Sequence, residues 1–587
     1  MHQKGFTQIL ILIGILIIAV FIGVVYFEVK QTQFLVKKPQ SVLIKPARES
    51  ATAAKVTDTL RNLSVEPSEH FGSMGQWNLG TTVPGFNQKI FQSGVSGFYA
   101  DSELLNKVLK AIENSSEIEA KYTAASGMKF IRPNPGPFVW NLIEPKQGEY
   151  HWDLPDLYIK TLRKYNVEPI VTIDYHTEWD GIKCRSLPTD EPDKQSYEHG
   201  SFSVFGPHFV GTICNLDDYA KWLEAVVERY NGDGKNDMPG LNGQRLKYWE
   251  IFNEIEGQSW YQTKPSLYVE AQKLSYQIIK KHCPNCIVAS EGSLDVSGDF
   301  REAKPFWDAA YKEGVLNYMD ARNWHWNSER ENGTKESIYQ KAVQAMNDQM
   351  SAYGQKKPMW ITELGTSTGA TSEVSGSVQQ NSSISTGTLP PSGGGRCGDN
   401  ICDAFEKANP NACPQDCGGG GGNTGRQPQQ SEQQPNQKQQ LPQQSNQQTN
   451  SIAQDEEEQA AWYVRRYAYG FANGVTLFTP DIIVAPNNSS LLRETNSGVQ
   501  ARLLFYVHKL LVAKIGKFTT AEELANGQYK FINDGKIVYI LWKTSTPLSP
   551  QIKGQVKVTD LYGNEKIVDS TQLQLSEIPV FAEATTN

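Results

Sequence analysis

No part of the sequence carries a basic cluster. Lys and Arg together number 56 against 64 Asp and Glu, for a net charge of −8. That balance excludes the electrostatic footprint of a nucleic-acid partner. A cleavage site of the small-x-small kind is also missing after Phe27, although Ile9–Phe27 is an almost unbroken apolar run. A bilayer span takes about 20 such residues, and a cleaved signal has a shorter apolar core. The run therefore reads as a retained single-pass anchor. The usual positive-inside bias is absent too, since Lys4 precedes the run while Lys30, Lys37 and Lys38 follow it. Long downstream domains cross largely regardless of such charges. Finally, hydrophobic periodicity disappears between about residues 366 and 454, where Ser, Thr and Gly give way to Gln and Pro. Such a tract cannot bury enough apolar surface to order itself.

What remains alternates β-branched and aromatic runs with helical spacing, the pattern of parallel strands joined by helical crossovers. Strands are expected at Gly75–Leu79, Met128–Arg132, Glu168–Tyr175, Lys247–Asn253, Ile287–Ser290, Tyr318–Trp326, Pro358–Glu363 and Gly474–Thr479. The fold class expected is α/β, a (β/α)8 barrel with a small C-terminal β-domain, an N-terminal transmembrane helix and a disordered insertion. The layout runs as an anchor over 1–30 and a polar stalk over 31–66. The first seven barrel strands follow over 67–365, then the insertion over 366–454. Residues 455–520 complete the barrel and 521–587 form the β-domain. With 13 Trp, the chain is rich in faces that stack on sugars, though most such rings are simply packed.

Tyr248–Glu256, read YWEIFNEIE, is apolar enough for a strand buried on both faces and ends in Asn253 and Glu254. Polar residues at the C-terminal end of a barrel strand point to chemistry rather than packing. Trp360–Gly365, WITELG, places a second carboxylate, Glu363, at another strand end. Retaining glycoside hydrolysis needs such a pair, about 5–5.5 Å apart. W-E-I-x-N-E resembles the acid/base strand, and W-x-T-E-x-G the nucleophile strand, of glycoside hydrolase clan A, nearest to its β-xylosidase and α-L-iduronidase-like family. Trp140–Trp152 resembles that clan's W-x-x-I-E-P-x-x-G-x-Y-x-W loop. The resemblance implies Glu254 as acid/base and Glu363 as nucleophile, without a cofactor. It also implies Asn253 on the sugar 2-hydroxyl, Arg132 holding the nucleophile ionised, and His325 with Trp326 against the sugar. His176 either lines the sugar site or makes a structural hydrogen bond. Phe478-Thr479-Pro480 stands where many clan members have a Trp.

Of the eight cysteines, Cys397, Cys402, Cys413 and Cys417 sit inside the low-complexity tract. They resemble the C-G-D-G-x-C-D microdomain of microbial surface proteins, and their spacing allows two disulfides. Asp399, Asp403 and Asp416 could hold Ca²⁺ there; a knot without metal is the alternative, and with no His nearby zinc is disfavoured. Cys184 with Cys214, and Cys283 with Cys286, are expected to pair. Cysteine use and the catalytic domain together place the chain outside the cell, on the membrane. Lys4-Gly5-Phe6-Thr7 resembles a prepilin leader, but Leu10 stands where that family expects Glu.

The expected function is a retaining glycosidase acting on extracellular or cell-surface carbohydrate. The alternative is a catalytically silent carbohydrate-binding adhesin on the same barrel. Because long surface loops add little closure entropy, replacing 366–454 with a short Gly/Ser linker should leave thermal unfolding cooperative. Loss of cooperativity would show that the tract packs into the fold.

Overall fold

Along the chain, strands of one sheet alternate with helices. β1 (Ser68–Gln76) leads to α1 (Ser102–Ser126), β2 (Met128–Asn134) to α2 (Asp153–Lys164), β3 (Glu168–Ile173) to α3 (Leu216–Tyr230) and β4 (Tyr248–Ile251) to α4 (Pro265–His282). β5 (Ile287–Ala289), β6 (Arg322–Trp326), β7 (Met359–Leu364) and β8 (Val475–Pro480) are followed by α5 (Ala303–Lys312), α6 (Glu336–Ala352), α7 (Ser445–Ala472) and α8 (Leu503–Ile515). The computed structural model describes residues 48–76, 83–134, 136–184, 213–257, 264–294, 303–326, 336–365, 445–480, 483–485, 490–495 and 498–585. The apolar run, the Cys-rich stretch 397–417 and most of the low-complexity tract lie outside them. Among the described residues no helix is long and apolar enough to cross a membrane. The chain divides into two units, Met1–Thr371 with Thr449–Asn587, and Ser372–Gln448; the sheet of β1 to β8 and the C-terminal domain belong to the first.

The strands form one parallel sheet in the order β5-β4-β3-β2-β1-β8-β7-β6. Parallel bridges Ala289–Ala321 and Ser293–Trp324 join β5 to β6 and close it. This is a (β/α)8 barrel. Its interior is plugged by Phe130, Ile170, Ala289, Ala321, Trp360 and Leu477, with Tyr248 and Ile287 packed against them. Two residues further along a strand the side chain returns to the same face. That step replaces Phe130 by Arg132, Ile170 by Thr172, Tyr248 by Glu250, Ala321 by Asn323 and Trp360 by Thr362. A polar layer thus lies directly on the apolar plug, toward the C-terminal ends of the strands.

β1 begins seven residues before the expected Gly75–Leu79, and the later part of that expected strand lies beyond the described residues. Its sequence, SEHFGSMGQ, has few apolar residues because small ones are required. A Cβ on Gly72 would stand 2.7 Å from Thr479 Cγ2 and 3.0 Å from Phe130 Cβ. The C-terminal sheet is antiparallel, in the order Phe518–Ala525, Gln528–Asn533, Lys536–Leu541, Val580–Ala584, Gln555–Thr559, Glu565–Asp569.

The second half of the expected stalk is part of the fold. Arg48–Glu49 pairs in parallel with Gln500 and Ala501, and Ala53, Val56 and Leu60 are buried. The Thr57 amide donates to the Tyr562 carbonyl at 3.0 Å. Periodicity misses this segment because it forms only short elements, each anchored by residues hundreds of positions away. The anchor is Glu456, which accepts from Ser50 Oγ at 2.6 Å, Arg502 Nε at 3.3 Å and the Leu503 amide at 3.3 Å. Arg502 and Glu456 are 3% and 2% exposed, so removing the carboxylate strands a buried cation. Glu456→Ala should lower the unfolding free energy by about 3 kcal/mol, read from urea denaturation; a loss within ~0.5 kcal/mol would mean that the pair is effectively solvated.

Candidate active site

The polar layer is organised by Arg132, at the end of β2, whose side chain has no exposed surface. Its Nε and Nη2 donate to the two oxygens of Glu250 on β4, at 2.7 and 2.8 Å. Its Nη1 donates to Glu363 Oε1 on β7 at 2.7 Å, and Nη2 also reaches Asn253 Oδ1. Asn134 Nδ2 adds a second donor to Glu363 Oε1, at 3.2 Å. Glu250 is itself fully buried. It also accepts from Thr172 Oγ1 at 3.0 Å and Asn323 Nδ2 at 2.7 Å. Such complete satisfaction is what burying a charge requires.

Above this base stand Glu254 and Glu363, with side chains 31% and 13% exposed, so both can meet a solute. His325 on β6 lies between them. Its Nδ1 is 2.8 Å from Glu254 Oε1 and 3.8 Å from Glu363 Oε1, and its Nε2 is 3.2 Å from Thr362 Oγ1. Thr362 directs its hydroxyl proton to Asn323 Oδ1, 2.9 Å away, and so can accept from His325. Both ring nitrogens therefore face acceptors. Burial alone would pull the His325 pKa down; the Glu363 carboxylate and the hydrogen bond to Glu254 outweigh it, against Arg132, and raise the value above the ordinary 6.5. Burial likewise opposes charge on Arg132, and Glu250 and Glu363 reverse that to raise its pKa.

One ligand atom each from Glu254, His325 and Glu363 lie within 4.8 Å of one another. A metal ion there would share Glu363 Oε1 with the Arg132 guanidinium and would have to displace the proton between His325 and Glu254. The surroundings are built for a carboxylate pair rather than a cation.

The turn that presents Glu254 is strained. Phe252 and Glu254 both take left-handed backbone, at φ 76° and 46°, a conformation costly for residues with a Cβ. It is held by hydrogen bonds from the Phe252 amide to the Ile173 carbonyl and from the Glu254 amide to the Gly292 carbonyl, each 3.0 Å. The Ile255 amide donates to buried Glu291. Glu291 is paired with Glu256, also buried, and burial raises both carboxyls above their usual range. Gly292 itself must be glycine: a Cβ would overlap His325 Nε2 and stand 2.7 Å from Glu250 Oε1.

Of the residues singled out from the sequence, Arg132, Asn253, Glu254, His325 and Glu363 converge in one network. Trp326 does not join it. It follows His325 by one residue and so faces outward, against Tyr339 of α6 at a ring distance of 5.6 Å. His176 is buried and bonded through Nδ1 to Asp174. Trp140, which opens the Trp140–Trp152 loop, is buried against Trp222 and donates to Glu144 at 2.7 Å. Glu250, Asn134, Asn323 and Thr362 join the network without having stood out in the sequence. Glu250 did leave a signal: a carboxylate inside a strand buried on both faces needs a cation. The expected pairs Cys184–Cys214 and Cys283–Cys286 are both disulfides.

No protein-family model matches the chain, and no curated protein matches its sequence. Among solved structures the chain is similar to a GH39 β-xylosidase from Caulobacter crescentus, at 12% identity over 89% of this chain and 98% of that one, with a TM-score of 0.46. It is also similar to a family 39 glycoside hydrolase from Bacteroides cellulosilyticus, at 14% identity, 81% and 79% coverage and a TM-score of 0.42. A family 51 α-L-arabinofuranosidase from Bifidobacterium longum gives 12% identity, 88% and 96% coverage and a TM-score of 0.42.

The raised His325 pKa has a signed consequence. Protonated His325 stabilises the fold fully below its ordinary value of 6.5, and that contribution is lost as pH rises through the raised folded value. The stability advantage of wild type over His325→Gln should therefore shrink as the pH is raised above 6.5, measured by urea unfolding. An advantage that is constant or grows with pH would contradict a charged His325.

Proposed function

We propose that the chain is a retaining glycoside hydrolase of the clan A type. The carrying observation is that carboxylate oxygens of Glu254 and Glu363, from two strand ends, lie within 4.8 Å of each other. Retaining enzymes hold their carboxyls about 5–5.5 Å apart, whereas inverting enzymes need about 6.5–9.5 Å to admit a water. Glu363 is the nucleophile, because Arg132 Nη1 places positive charge on its Oε1 at 2.7 Å. Glu254 is the acid/base, more open and hydrogen-bonded to His325, with which it can exchange a proton.

In the first step a Glu363 oxygen bonds to the anomeric carbon as the glycosidic bond breaks, and the Glu254 proton passes to the departing oxygen. In the second, water attacks the anomeric carbon and gives its proton to Glu254, while Glu363 leaves as a carboxylate. Asn253, fixed by Arg132 Nη2, is placed beside Glu254 to meet the 2-hydroxyl. The substrate in this reading is an extracellular or cell-surface oligo- or polysaccharide, with Ile9–Phe27 as the membrane tether. The two disulfides support an oxidising compartment.

Glu363→Ala should lose turnover of aryl β-glycosides by a factor on the order of 10⁵ and regain it with azide, giving a product of inverted configuration. A 2-fluoroglycoside should label Glu363 in the wild type. A label elsewhere, or an inverted wild-type product by NMR, would overturn the assignment.

A further inference from the structure

The double displacement changes the charge of the site in mid-cycle. When Glu363 becomes an ester it stops being an anion, yet Arg132, which donates to it at 2.7 Å, stays fully buried. A buried guanidinium that loses its counter-ion is strongly destabilising. Resting on the glycosidase reading, we propose that Glu250 is a positioning residue that serves as the permanent counter-ion of Arg132, keeping the glycosyl-enzyme intermediate attainable.

The geometry supports this role. Glu250 takes two of the Arg132 donors in a bidentate pair, leaving Nη1 for Glu363. It sits beneath the reacting pair, with no exposed surface, and is aimed by neutral donors from two further strands, Thr172 and Asn323. Among the described residues the charged groups around it come from four places. Arg132 comes from β2, His325 from β6, Glu363 from β7, and Glu254 from the end of β4. Glu254 is matched by His325 at 2.8 Å. Arg322 on β6 turns away, to Tyr311 Oη at 2.8 Å. Within this set Glu250 is the carboxylate that accepts from Arg132 and has no part in bond making.

The charge has a second effect. By accepting two of the Arg132 donors, Glu250 offsets part of the positive charge that Arg132 presents to Glu363. Without it, the ionised nucleophile would be over-stabilised before the reaction, and the ester under-stabilised after it. Glycosylation would slow and deglycosylation would quicken.

The test compares wild type, Glu250→Gln and Glu250→Asp. The readouts are the acidic limb of the kcat/KM profile on an aryl glycoside and the lifetime of the 2-fluoroglycosyl enzyme. Glu250→Gln should move the acidic limb to lower pH by about 1–3 units and shorten the lifetime of the trapped intermediate. Glu250→Asp, which keeps the charge, should leave the limb at its wild-type position even where kcat falls. A limb and lifetime unchanged in Glu250→Gln, with activity lowered evenly at every pH, would reduce Glu250 to a packing role and overturn the inference. If Glu250→Gln does not fold, Glu250→Asp decides, since a displaced limb despite the retained charge refutes it. Failure of the underlying reading looks different: wild type that forms no label on Glu363, whatever the Glu250 variants do.

Discussion

Arg132 reaches the barrel mouth with no surface left for water, and a charge in that position is tolerated only when its donors are met by anions. Two carboxylates and a side-chain amide meet them. Each carboxylate comes from a different part of the sheet, so the ion cluster cannot exist unless β2, β4 and β7 are in register. The dependence also runs the other way. The apolar plug of Phe130, Ile170, Trp360 and their neighbours gives the polar layer a dry floor, where its hydrogen bonds are strong and an unmade one is expensive.

Among the described residues of the mouth, left-handed backbone at residues other than glycine falls in the turn that carries Glu254. Left-handed backbone at Phe252 and Glu254 costs of order 1–3 kcal/mol per residue. Three amides of that turn bond to β3 and to the segment after β5, and these hold it. The missing side chain of Gly292 then lets His325 come close to both Glu250 and Glu254. The same glycine would be invisible to any account of the site that stopped at the residues touching substrate.

Away from the mouth, the fold is closed by a segment that looks like a tether. Residues 48–61 lie against α8, the Gly498–Ala501 strand and the C-terminal domain, and Glu456 ties Ser50 to Arg502. Exposed ion pairs elsewhere, such as Lys107–Glu103, contribute at most about 1 kcal/mol each. The buried one matters more because breaking it leaves a charge without solvent.

Much of the barrel was legible in the chain because its strands are short apolar runs between amphipathic helices, and burial on both faces writes itself into composition. The exception was β1, where close approach of neighbouring backbones demands glycine and serine, so the hydrophobic signal is absent by necessity. Glu254 and Glu363 were legible because a carboxylate ending a buried strand has few structural excuses. Arg132, Asn253 and His325 were implied by the resemblance to clan A rather than by placement alone. The sequence could not show on which face of β6 each residue lies, and so Trp326 was grouped with His325 although alternation sends it to the helices. Nor could it show that Glu250, inside a run that reads as core, would find Arg132, 118 positions away. Local pattern determined the strands, the helices and the two candidate carboxylates, because those depend on neighbours in the chain. Which charges meet, and what neutralises them, was decided by the tertiary structure alone, because only closure of the sheet brings the four strand ends within hydrogen-bonding distance.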